Sequence, residues 1–211
     1  MKVAVIAGTP VDTKMGVEFL SSKGVIAIGY SVSTCPEEQS KIQILSPLDL
    51  EEKVRNIIEK TKYEMIDTIL VYCNSLSAAV DMARLSREEG IRIITPFDIY
   101  KKIAFDYNSI GVITANNKSS AGIEKVIQSV NPSCNVIGVG ILPMVVDIEK
   151  GISAIEIVGK FALRSLMEFY SSAKVDVIIL GCTHFPYIYD ELRKCTSIPI
   201  LDPAELMYKM I

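Results

Sequence analysis

Val175-Asp176-Val177-Ile178-Ile179-Leu180-Gly181-Cys182-Thr183-His184-Phe185-Pro186 is the stretch on which the fold turns. Its apolar, β-branched run reads as a strand covered on both faces, as in a parallel sheet. The change to Gly-Cys-Thr-His ends the strand in a polar turn, at the edge where open α/β sheets place their ligands. A second stretch has the same form. Thr68-Ile69-Leu70-Val71-Tyr72 runs into Cys73-Asn74-Ser75. Two strand-end thiols with small polar neighbours, one beside the chain's single histidine, His184, point to a pair of acid/base groups facing one substrate.

Outward from these two points, apolar runs alternate with helical stretches, which predicts parallel strands joined by crossover helices. Strands are expected at 2–7, 24–29, 68–72, 92–94, 109–114, 135–139, 175–180 and 198–201. Helices are expected at 48–61, 75–89, 99–105, 119–130, 147–171, 187–194 and 204–210. Acidic residues open the helix that begins at Leu48, and Val54, Ile57, Ile58 and Thr61 share one of its faces.

The pattern occurs twice. Val3-Ala4-Val5-Ile6-Ala7 resembles Ile110-Gly111-Val112-Ile113-Thr114, and Ile93-Ile94-Thr95-Pro96 resembles Ile200-Leu201-Asp202-Pro203. The interval from Val5 to Cys73 matches that from Val112 to Cys182 within two residues, and so do the intervals from each cysteine to Pro96 and Pro203. Such a repeat predicts an α/β protein of two pseudo-symmetric, doubly wound lobes with parallel sheets and an active site in the cleft between them. The first lobe is expected at 1–96 with the C-terminal helix at about 203–211, the second at 97–202.

Composition narrows the function classes. With 211 residues, 49% of them hydrophobic, and a mean hydropathy of +0.32, the chain can bury a large core. A net charge of −3 provides no basic field for nucleic acid or an anionic membrane. The longest apolar stretch, Val136 to Val146, carries Gly138, Gly140 and Pro143 and is far short of a membrane span. Met1 to Gly8 reads as a first strand and not as a signal peptide. Five cysteines without a CxxC pair, and one histidine, do not make a zinc pattern; reduced thiols in the cytoplasm are the expectation. Cys35, Cys134 and Cys195 read as core or incidental thiols, and Met144, Met167 and Met207 as core fillers.

Opposed thiols suit a reaction that removes a proton from one face of a carbon and returns one to the other. A free thiol ionises near pH 8.5, so both protonation states are within reach. Asn74, Ser75, Thr183 and His184 stand at turns where backbone N–H groups can hold a carboxylate. His184 is placed to take the Cys182 proton. The backbone of Gly8 and Thr9, after the first strand, is a further expected substrate neighbour.

Cys73-Asn74-Ser75 resembles the Cys-Asn-Thr element of glutamate racemases, and Gly181-Cys182-Thr183-His184-Phe185-Pro186 resembles their second cysteine motif almost letter for letter. The resemblance runs through most of the chain, includes Ser33-Thr34-Cys35-Pro36 and Gly111-Val112-Ile113-Thr114, and places it in the aspartate/glutamate racemase superfamily, closest to glutamate racemase. It implies that Cys73 and Cys182 are the catalytic acid/bases, that His184 assists Cys182, and that Asn74, Ser75 and Thr183 hold the amino-acid head of the substrate. It matches Thr114 to Asn117 with a Gly-Thr-rich loop, making Thr114 and Asn116 substrate neighbours. It further implies a homodimer working without pyridoxal phosphate, metal or other cofactor.

Departures bear on the substrate. Where the family carries Asp-Ser-Gly after the first strand, this chain has Ala7-Gly8-Thr9, so the aspartate that assists the first cysteine is absent. Asp12 is nearby and could substitute for it, though it reads first as a surface-turn residue. Glu37 and Glu38 replace a Tyr-Gly pair; they read as a solvated loop or, if near the site, as an acidic pair that would repel a dicarboxylate and favour a neutral or basic amino acid. The residues leave aspartate, another amino acid or a hydantoin open as substrate. They also leave open cis–trans isomerisation of a dicarboxylate, or a binding protein that lost base activation at Ala7.

Overall fold

The computed structural model describes residues 2–33 and 47–211. The expectations for Cys35, Glu37 and Glu38 lie outside the described residues. The chain divides into two compact units, one holding the described residues through Asp98 together with Ala204–Ile211, the other Ile99–Pro203.

The first unit is built on a parallel sheet of β1 (Lys2–Ala7), β2 (Ile26–Ser31), β3 (Thr68–Val71) and β4 (Arg92–Ile94), in the order β2-β1-β3-β4. The second has β5 (Ser109–Thr114), β6 (Asn135–Gly140), β7 (Val177–Leu180) and β8 (Ile200–Leu201), in the order β6-β5-β7-β8. Each order maps onto the other strand for strand. The two-sheet α/β plan read from the alternation is therefore present, and the central strands β1, β3, β5 and β7 are the most deeply buried.

Crossover helices cover the sheets. In the first unit these are α1 (Pro10–Ser22), α2 (Pro47–Tyr63), α3 (Asn74–Ala79) and α4 (Met82–Glu89), followed by α5 (Pro96–Ile103), within which the unit boundary falls. Val54, Ile57 and Ile58 of α2 pack with Ile6, Ile69, Val71 and Leu85 in one apolar cluster. Arg55 of α2 reaches Glu89 of α4 at 2.7 Å and pairs with Glu51 and Glu88 as well, a solvated network that adds little stability per pair. The second unit has α6 (Asn117–Val130), α7 (Leu142–Glu149), α8 (Ala154–Lys160), α9 (Leu163–Ser172), a 3₁₀ turn (Phe185–Ile188) and α10 (Tyr189–Arg193). Met144, Ile148, Ile157, Met167 and Tyr170 fill its core. The Tyr170 hydroxyl donates to the Val112 carbonyl at 3.2 Å, and burial holds the phenol well above its ordinary range. Helix α11 (Pro203–Tyr208) ties back to the end of α1 through Lys23 and Glu205 at 2.9 Å.

Several helix boundaries differ from expectation, for local reasons. The helix expected at 75–89 is two: Val80 is extended and Asp81 caps α4, its carboxylate accepting from the Arg84 N–H at 2.9 Å. The helix expected at 147–171 is three, interrupted by Gly151 at φ 75° and by Ala162 at φ 49°. A Ser153–Glu156 capping box restarts the chain as α8. Helix α1 was not among those expected, and the second strand begins at Ile26, after the Gly24 turn at φ 79°.

Each unit admits its first crossover helix through a glycine on the edge strand. A Cβ on Gly138 of β6 would fall 1.6 Å from Ser120 Oγ of α6, and one on Gly29 of β2 would fall 2.6 Å from Thr13 Cγ2 of α1. Gly138→Ala is expected to cost about 1–3 kcal/mol by overpacking. A lowered melting midpoint in a thermal scan checks this; an unchanged one would mean that α6 yields freely.

Candidate active site

Both strand-end cysteines occupy the same topological place. Cys73 lies two residues beyond the end of β3, and Cys182 two residues beyond the end of β7, the corresponding strand of the second sheet. Each is nearly covered, at 7% and 8% exposure.

In the first unit, parallel pairing of β1 with β3 sets Ile6 beside Val71, and the Tyr72 N–H donates to the Ile6 carbonyl at 2.7 Å. Gly8 and Cys73 each follow that pair by two residues. Cys73 is the N-cap of α3, and its Sγ accepts from the Leu76 N–H at 3.4 Å. A thiolate is a better acceptor than a thiol, so this contact favours the ionised form. Asn74, buried, and Ser75, half-buried, form the first turn of α3 beside it.

In the second unit the turn after β7 is compressed. A Cβ on Gly181 would stand 2.8 Å from both Ile123 Cδ1 and Thr114 Cγ2, so glycine is what lets the chain pass. Phe185, fully buried, anchors the far side, and its N–H donates to the Cys182 carbonyl at 3.0 Å. Between them His184 is buried, with Nδ1 3.7 Å from Cys182 Sγ and Nε2 3.1 Å from Glu149 Oε1. The Glu149 carboxylate only accepts, so it selects the tautomer with the proton on Nε2 and leaves Nδ1 as a base toward the thiol. Thr183, half-buried, is next in line. Glu149 was not among the expected site residues. It lies 35 residues from His184 at the last position of α7, and nothing local distinguishes it from a solvated helix-end acid.

Other expected site residues have structural work. Thr114 is fully buried, and its hydroxyl donates to the Asn116 carbonyl at 2.8 Å. Asn116 caps α6, its Oδ1 accepting from the Ser119 N–H at 2.9 Å. The backbone N–H groups of Gly8 and Thr9, expected beside substrate, donate instead to the Asp12 carboxylate at 3.2 and 2.6 Å. Asp12 itself is 1% exposed, not a surface-turn residue: α1, unforeseen, carries it inward as the third residue of a capping box with Thr9. Cys134 lies at the opposite edge of its sheet, and burial, with Asp176 nearby, pushes its thiol pKa up, away from reactivity. Cys195 is half-buried and donates to the Glu191 carbonyl. Among the described residues, no group of three or more His, Cys, Asp and Glu is placed to hold a metal ion, and no helix is long and apolar enough to cross a membrane.

Comparisons agree with this plan. Residues 29–211 match the Asp/Glu/Hydantoin racemase family model. Glutamate racemase of Clostridium botulinum is 29% identical over 154 residues, covering 70% of this chain and 58% of that protein. The glutamate racemase of Aliivibrio fischeri is 29% identical over 168 residues, covering 76% and 62%. The chain thus spans less than two thirds of the length of these relatives. In fold it is similar to glutamate racemase from Francisella tularensis, solved with D-glutamate, at a TM-score of 0.76 and 19% identity over 99% of this chain and 78% of that one. An aspartate racemase homologue from Pyrococcus horikoshii gives 0.74 and 14% identity, over 100% and 97%. Matched along 29–211, with its paired sheets and its two strand-end cysteines, the chain belongs to the Asp/Glu/Hydantoin racemase family.

Proposed function

We propose that the protein is a cofactor-independent racemase of an amino acid, or of a closely related carbon acid, with Cys73 and Cys182 as opposed acid/bases at Cα. The observation that carries this reading is the equivalence of the two thiols, each two residues past the third strand of its sheet. One cysteine enters as thiolate and takes the α-proton; the other, as thiol, delivers a proton to the opposite face. The roles exchange with the hand of the substrate. Cys73 is helped by the Leu76 N–H, and Cys182 hands its proton to His184 Nδ1, with Glu149 compensating the imidazolium. Asn74, Ser75 and Thr183 would hold the α-carboxylate, in whose vicinity negative charge grows as the proton leaves. Glutamate, the substrate named for its relatives, is the reference compound, and a cytoplasmic homodimer is the working form we assign.

The test is incubation in D₂O with single-enantiomer amino acids and 5-substituted hydantoins, read by mass and by optical rotation. Deuterium at Cα together with loss of rotation is the expected result. Binding without exchange would favour a ligand-binding protein, the reading suggested by apolar Ala7 where relatives place an aspartate. Neither binding nor exchange would remove the reading altogether.

A further inference from the structure

We infer that Tyr187 is a positioning residue for the proton relay at Cys182: its hydroxyl pins the end of α7 to the turn that carries His184, and so holds Glu149 on the imidazole. The inference rests on the racemase reading above and adds to it a residue that acts through two others.

Glu149 and His184 come from separate segments, and those segments meet twice. Nε2 of His184 stands 3.1 Å from Glu149 Oε1. Three residues on from each, the Tyr187 hydroxyl donates to the Ile152 carbonyl, also at 3.1 Å. One contact is the relay itself, and the other lies one turn along the same pair of segments.

The backbone on both sides is stiff. Helix α7 closes in a Schellman motif around Gly151 at φ 75°. The Gly151 N–H donates to the Ile148 carbonyl at 2.9 Å and the Ile152 N–H to the Asp147 carbonyl at 3.1 Å, which fixes where the Ile152 carbonyl points. On the other side the Tyr187 N–H donates to the His184 carbonyl at 3.2 Å, between the fully buried Phe185 and Ile188. Helix α8, started by the Ser153–Glu156 capping box directly after Ile152, packs against this same turn. What stays soft is the Glu149 side chain, with three rotatable bonds between backbone and carboxylate. A proton relay needs its heavy atoms held within about 0.5 Å. Between segments free to rock, that side chain would meet the imidazole only part of the time; the Tyr187 bond fixes the span it has to bridge. Tyr187 stands exposed, one residue past the Gly181–Pro186 motif, so its hydroxyl bond and not burial of its ring is what joins the segments.

His184 is the chain's single histidine, so its ring nitrogens give one set of ¹⁵N signals that can be read without turnover. In the wild-type protein the neutral ring should show its proton on Nε2. Tyr187→Phe keeps the aromatic ring and removes the donor. It should move the signals toward the tautomer protonated on Nδ1, the direction that Glu149→Gln takes further. It should also lower kcat by about three- to tenfold, with KM within about twofold. Tyr187→Leu, which loses the ring as well, should do the same. The combined variant closes a cycle. Once the carboxylate is gone there is nothing left to position, so Tyr187→Phe added to Glu149→Gln should cost less than about a further twofold. A bond with a purely structural role would lower the melting midpoint, leave the ¹⁵N spectrum unmoved and multiply its loss onto that of Glu149→Gln. An unmoved spectrum or independent losses in folded variants overturn the inference, and exchange by the wild-type protein then leaves the racemase reading intact. A spectrum moved by Tyr187→Phe in a protein that exchanges no compound retains the positioning role and sinks the racemase reading.

Discussion

Cys73→Ser and Cys182→Ser are each expected to abolish racemisation, with kcat falling by about three orders of magnitude or more. Serine is close in size to cysteine, and its hydroxyl can still accept the Leu76 N–H or face His184, so the packing and the α3 cap should survive. What is lost is the proton chemistry. A hydroxyl ionises far above any working pH, whereas an ordinary thiol is within about two units of neutrality. Because the proposed mechanism needs one group on each side of Cα, the loss of either should stop inversion, and the double variant should be no worse than the singles. Polarimetry on both enantiomers, with circular dichroism to verify the fold, reads the outcome. Wild-type rates in either variant would take that sulfur out of the mechanism. By contrast Cys134→Ser, at the far edge of its sheet, should leave turnover within about threefold while costing some stability at a buried site.

The second large effect is expected at His184. Replacing it with asparagine removes the base 3.7 Å from Cys182 and should cost about two to three orders of magnitude in kcat. With His184 present, the imidazole receives the thiol proton directly; without it, Cys182 has no base within reach on that side. The loss should also be unequal, heavier for the enantiomer whose proton Cys182 removes. Glu149→Gln tests the far end of the relay. An amide N–H turned toward Nε2 would reverse the imidazole tautomer and aim an N–H at the sulfur, so a loss of about tenfold to a hundredfold is expected. A loss equal for both enantiomers would make both residues packing elements.

Much of the architecture was legible in local pattern. Runs such as Ile110–Thr114 and Val177–Leu180 are apolar on successive residues because both faces of their sheets are covered, and that signal survives in one dimension. The placing of Cys73 and Cys182 just past strand ends was legible for the same reason. Edge strands were read less well. β2 and β6 carry glycines and partly exposed positions, and their limits shifted by one or two residues. Helix breaks at Val80, Gly151 and Ala162 escaped because amphipathic spacing continues across them while a single backbone angle interrupts the hydrogen-bond ladder.

The sequence by itself determined the alternation, the repeat, the strand-end thiols and the His184 neighbour of Cys182, since each is written within a few consecutive residues. Only the tertiary structure decided that Glu149 meets His184, that Thr114 is spent inside its own turn, and that Asp12 is buried with its carboxyl oxygens on the Gly8 and Thr9 N–H groups. These are contacts across helix–turn and strand–helix geometry, and a carboxylate reads the same in one dimension whether folding turns it toward water or toward two backbone N–H groups.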